Sequence, residues 1–316
     1  MESAVARDLD FTCRQYGDNV LQRVGVWEFK AREFEARELE AREPSSSRPW
    51  IVFIHGGAWR DPRNTLHDFA PSMTHLLGGR AAIRGFASID YRLSPNDAYP
   101  QDPVDTPASE LRVARHPDHV ADVRAALGLL AAEHRLADDG YILVGHSAGA
   151  TLALQLLMGH GDEGTSQGEQ QQQRCPVPLP AAIVGISGIY DLVGINARYG
   201  GTYAGFISAA FGRQDDGGGD GWRAASPACF EGSFRERWPG DPLALLAHSP
   251  QDTLVDAAET DAMAAKLMAD GVSVSVIKDI SGEHDFVWQD GEQVARLVGE
   301  ALALLSPGCF FFAKGN

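Results

Sequence analysis

A chain of 316 residues, 44% hydrophobic and 22% charged, has an ordinary globular composition and room for a substantial core, which excludes overall disorder. Its 43 acidic against 27 basic residues give a formal net charge of -16, so nucleic acid and anionic membrane surfaces are repelled as partners. The four cysteines, Cys13, Cys175, Cys229 and Cys309, lack C-x-x-C spacing, which argues against a zinc site or a disulfide framework and for reduced thiols.

In chain order, the N-terminal stretch has no apolar signal-peptide core, and no run long enough to span a membrane follows, so the expected compartment is the cytosol. Residues 30–43 repeat Ala-Arg-Glu and end at Pro44, the pattern of a solvated excursion between two early strands. From Trp50 a continuous apolar run breaks into Gly56-Gly57, as a buried strand feeding a loop would. Residues 86–93 read as the next strand and 116–134 as a helix, and 141–158 run strand, sharp turn and helix. Such alternation implies a parallel sheet.

The polar stretch 161–174 has nothing to bury and reads as a loop. Strand patterns resume at 181–190, 243–249 and 272–280, and residues 292–305 form a closing amphipathic helix before a short apolar tail. Residues 190–241 carry aromatics at no regular period and are expected to form a small cap. The whole chain thus reads as one α/β domain: a mostly parallel central sheet flanked by helices, with a cap insertion.

Gly145-His146-Ser147-Ala148-Gly149 matches G-x-S-x-G between an apolar strand and an apolar helix, the context of a nucleophile elbow. The glycines permit the strained turn and the close approach of strand and helix, and Ser147 is presented above the sheet edge. His55-Gly56-Gly57-Ala58-Trp59 follows an earlier strand, and the amides of Gly56, Gly57 and Ala148 are the expected oxyanion hole. An acid and a histidine should follow in that order, each after a late strand. Asp252 and His284 meet that rule; Asp256 is the rival acid, expected inside the following helix. In such a set His284 takes the Ser147 proton and Asp252 holds the imidazole tautomer, with no metal or organic cofactor needed.

From about Trp50 to Leu305 the chain resembles the fungal kynurenine formamidases, in the hormone-sensitive-lipase-like branch of the α/β hydrolases. The resemblance rests on IHGGAWRDP at 54–62, DYRLSP at 90–95, HPDHVADV at 116–123, GHSAGA at 145–150, GIYDL at 188–192, SP at 226–227, HSPQDTLV at 248–255 and GEHDF at 282–286. It implies the α/β-hydrolase fold, an N-formyl arylamine substrate, hydrolysis of N-formylkynurenine to kynurenine and formate in tryptophan breakdown and NAD synthesis, and a homodimer. Trp59 stands where many lipases have a further glycine. Trp59 and Tyr190 are the candidate substrate contacts, although aromatics such as Tyr190, Phe206 and Phe211 suit a cap core equally well. A general carboxylesterase of the same branch is the alternative, and a non-catalytic ligand receptor on this fold is the third reading.

Overall fold

The computed structural model describes residues 4–30, 48–159, 177–213 and 221–305. The Ala-Arg-Glu repeat, the polar stretch 161–174 and the apolar tail lie outside the described residues, apart from Lys30 at the start of the first.

Eight strands form one sheet: β1 (Leu9–Gln15), β2 (Arg23–Phe29), β3 (Trp50–Ile54), β4 (Gly85–Ile89), β5 (Tyr141–His146), β6 (Ala182–Ile186), β7 (Leu243–Ala247) and β8 (Ser273–Ile277). Their order is β1-β2-β4-β3-β5-β6-β7-β8. β2 runs antiparallel to both β1 and β4, and every other pairing is parallel.

The continuous apolar runs follow from burial on both faces. In β3, Val52 and Ile54 join one core cluster while Ile51 and Phe53 join the other; in β5, Tyr141 and Leu143 oppose Ile142 and Val144 in the same way. Helices α1 (Ala70–Leu76) and α7 (Glu292–Leu305) contribute to the second cluster. Helices α2 (Asp118–Glu133), α3 (Ala148–Gln155) and α6 (Ala257–Ala269) contribute to the first. Between β6 and β7 lie α4 (Leu192–Arg198), α5 (Ala204–Phe211) and shorter turns of helix.

β4 and β5 flank β3 on opposite sides, so the chain reverses its direction of travel across the sheet there. In open α/β sheets that reversal leaves a crevice beyond the carboxyl ends of the strands. The loops after β3 and β5, which carry the two glycine motifs, open into it. Strand β4 stops earlier than residues 86–93 imply, because Asp90 turns its carboxylate to the Leu66 N–H and to Arg23 Nε (2.7 Å). Among the described residues, no helix is long and apolar enough to cross a membrane.

Candidate active site

Ser147 sits between β5 and α3 with φ 53° and ψ -120°, a conformation that L-residues resist. The flanking glycines explain how the turn survives. A Cβ on Gly145 would lie 2.5 Å from the backbone of Gly149 and Ala150, and one on Gly149 would lie 2.1 Å from the Ile54 carbonyl oxygen. Neither neighbour can yield, since both are main chain. Gly149→Ala is therefore expected to cost on the order of 3 kcal/mol or more, read as a lowered melting temperature; a variant as stable as wild type would contradict this packing. The Ser147 N–H donates to Ile186 O (2.8 Å), which ties the turn to β6.

The loop after β3 packs directly on the serine: a Cβ on Gly56 would lie 3.1 Å from Ser147 Cβ and 2.9 Å from His146 Nδ1. Gly57, Ala58 and Trp59 all have positive φ. The Tyr91 hydroxyl donates to His55 O (3.2 Å) and Gly56 O (3.0 Å), and its ring stacks on His55 at 4.5 Å. In a trans peptide the N–H points opposite the carbonyl, so this pinning aims the Gly56 and Gly57 N–H groups away from Tyr91. Ala148 is the first residue of α3, where an N–H has no acceptor within its own helix. Sequence reasoning gave Tyr91 no role; its presence in DYRLSP was the one available sign.

Asp252 and His284 come together. His284 Nδ1 donates to Asp252 Oδ2 (2.7 Å), and Asp252 Oδ1 accepts from the Leu254 and Val255 N–H groups, both at 2.9 Å. The Asp252 side chain is fully buried. Burial pushes its carboxyl up, but the hydrogen bonds from His284, Val255 and the Ser187 hydroxyl outweigh it and leave the pKa lowered to about 2. Ser187, itself at φ 47° just past β6, escaped the sequence reading. Asp256 lies at the N-cap of α6 rather than inside it, and it pairs with Arg198 Nε (2.6 Å) instead of a histidine.

Ser147 and His284 are both buried, and among the described residues no hydrogen bond joins the serine hydroxyl to the ring. Hydrogen bonds of this kind often tighten only once substrate is bound. What connects the two loops is His146: its Nε2 donates to the His284 carbonyl (3.0 Å), and burial, then the nearby His284, hold its pKa down to about 3. His146, His284 and Asp285 each offer a potential metal-ligand atom within 4.8 Å of the others. One nitrogen of each ring is already engaged, by the His284 carbonyl and by Asp252.

Trp59 and Tyr190, the candidate substrate contacts, lie in the interior of the fold. Both are 0% exposed. Trp59 meets Phe211 edge-on at 4.8 Å, and the Tyr190 ring fills the space left by Gly185 and Gly188.

Residues 51–288 match the family model described as the alpha/beta hydrolase fold. The chain is 36% identical to a kynurenine formamidase of Aspergillus versicolor, over 79% of this chain and 87% of that protein. The chain belongs to the α/β-hydrolase family, in the branch that holds the fungal kynurenine formamidases. It is thus a hydrolase. A kynurenine formamidase-like hydrolase of Fusarium equiseti is 35% identical over 81% of this chain and 83% of that one, and a kynurenine formamidase of Meyerozyma guilliermondii is 31% identical over 80% and 83%. Among solved structures, a truncated carbohydrate esterase from gut microbiota superposes with a TM-score of 0.62 at 18% identity, covering 92% of this chain and 96% of that one. Esterase B of Lactobacillus rhamnosis gives 0.62 at 14% identity, covering 97% and 89%; at such identities the likeness concerns the fold alone.

Proposed function

We propose that this α/β hydrolase cleaves N-formyl-L-kynurenine to L-kynurenine and formate through a formyl-enzyme on Ser147, as a step of tryptophan breakdown. The observation that carries the reading is the 2.7 Å pair of His284 and Asp252 beside a serine at a strained elbow, in a chain 36% identical to a kynurenine formamidase. Ser147 Oγ attacks the formyl carbon while its proton passes to His284 Nε2, and the Gly56, Gly57 and Ala148 amides receive the oxyanion. His284 then returns the proton to the departing aryl nitrogen, because an anilide anion is too poor a leaving group to go unprotonated. Water, activated by the same ring, releases formate and restores the serine.

The space around the site supports a small acyl group. Ser147 is 4% exposed and Gly56 packs against it, which leaves little room for a long acyl chain at the nucleophile; a separate open cavity of about 630 Å³ borders the His284 loop, lined by Leu254, Ser281, His284, Asp285 and Phe286 among others. His284 serves the leaving group, so in this reading the arylamine departs toward the His284 loop. In this reading the segment between β6 and β7, described over 190–213 and 221–241, forms the cap, and a cytosolic homodimer belongs to the same proposal. The test is an acyl series on one aryl leaving group, from formyl to butyryl. A steep fall in kcat/KM supports the formamidase, and a flat or rising series assigns the chain to the general carboxylesterases.

A further inference from the structure

A circuit of contacts links the loop after β3 to the loop that holds His284. The Trp59 ring stacks on Phe206 at 6.3 Å, and Phe206 meets Tyr203 at 5.0 Å. The Tyr203 hydroxyl donates to Leu254 O (2.5 Å), and Thr253 Oγ1 donates to Glu283 Oε2 (2.8 Å), one residue before His284. On the loop that follows β3, the hydrogen bond and charge of Asp61 raise the Arg63 pKa most, and the Asp285 charge contributes least.

Charges on this circuit are arranged unevenly. On the His284 loop, Glu283 and Asp285 are both exposed. Opposite them, Arg63 is held by Asp61 through two nitrogens, Nε at 3.0 Å and Nη2 at 2.6 Å. Arg60 is different. Its guanidinium lies over the Phe206 ring, 5.6 Å from the centroid, and among the described residues it forms no ion pair; Asp61 acts on it only through space. Its main chain is tied to the oxyanion loop by a 3.0 Å bond from its N–H to Gly57 O. In a chain with 43 acidic and 27 basic residues, a half-buried arginine on the oxyanion loop that forms no ion pair among the described residues is a group that a ligand carboxylate would complete. The aromatic face below fixes the plane of the guanidinium and leaves its edge donors free, the geometry in which arginine binds a carboxylate through two nitrogens.

We propose that Arg60 binds the carboxylate at the amino-acid end of the aryl formamide. The inference rests on the formamidase reading and deepens it: the preferred leaving group is an arylamine that carries a carboxylate, with its ammonium turned toward Glu283 and Asp285. A carboxylate placed the other way round would face those acids and be repelled.

The test compares N-formylkynurenine with N-(2-acetylphenyl)formamide, which keeps the formamide and the ortho ketone but lacks the amino-acid end. In Arg60→Met, which keeps an apolar stem over Phe206, KM for N-formylkynurenine should rise roughly 10- to 100-fold with kcat within about twofold, as loss of a charged hydrogen bond made equally in ground and transition states predicts. The truncated substrate should be unaffected, and Arg60→Lys should fall between wild type and Arg60→Met. An unchanged KM in Arg60→Met, or an equal loss on both substrates, overturns the proposal; the equal loss would mean that Arg60 only supports Phe206. Equal wild-type efficiency on the two substrates removes the carboxylate anchor and leaves the formamidase intact. If wild type hydrolyses neither compound, the formamidase reading and the anchor fall together.

Discussion

Ser147→Ala is expected to reduce turnover roughly a millionfold, the loss seen when a triad enzyme loses its nucleophile. The substitution removes only the hydroxyl, and the described hydrogen bonds that hold the turn run through the Ser147 main chain, to Ile186 O and from Ala150 N (3.0 Å) and Thr151 N (3.3 Å). Folding should therefore survive, with an unchanged circular dichroism spectrum. Residual activity near wild type would remove Ser147 from the mechanism. A second variant separates chemistry from strain. Alanine keeps the unfavourable φ of 53°, whereas glycine adopts it freely, so Ser147→Gly should be as inactive as Ser147→Ala and melt at a higher temperature. If the alanine variant melted higher, the elbow would not be storing backbone strain.

The same residues show what could be read before any coordinates. The central strands were legible because each is buried on both faces and so appears as an unbroken apolar run, as Ile51–Ile54 and Ile142–Val144 do. Strand β1 left no such trace: six of its seven residues are exposed, and its identity as a strand comes from pairing with β2. Between β6 and β7, helices of seven or eight residues joined by glycine turns have too few periods to register as helices.

Within the site, position carried the information. A serine between two glycines, an acid after one late strand and a histidine after the next are ordered by the topology itself. Tyr91, Ser187 and His146 act through hydrogen bonds to main-chain carbonyls or to a buried carboxylate, and such bonds impose no spacing on a sequence. Composition likewise could not tell an aromatic in the wall from one behind it. Trp59 and Tyr190 are fully buried, whereas Phe286 is exposed and Phe206 half-buried.

Asp252→Asn should lower kcat on the order of ten-thousandfold while leaving the substrate's KM nearly unchanged. The reason lies in the proton on His284. A carboxylate can only accept, so Asp252 Oδ2 fixes the Nδ1–H tautomer and leaves Nε2 free to take the serine proton. An asparagine can present its amide N–H instead, and the ring then turns its basic nitrogen away from Ser147. The Leu254 and Val255 N–H groups hold the other oxygen in place, so the variant should keep its geometry as it loses its rate. Stability should respond to pH in a matching way. The folded carboxyl, lowered to about 2, releases its proton more readily than the same group in the unfolded chain. Its contribution is therefore complete above the ordinary aspartate range of about 4 and is lost as the pH falls through about 2. Urea unfolding of wild type and Asp252→Asn should show the larger difference near neutrality and a shrinking one in acid. If Asp256→Asn instead caused the ten-thousandfold loss, the acid would be misplaced, and the 2.7 Å contact between Asp252 and His284 would be only structural.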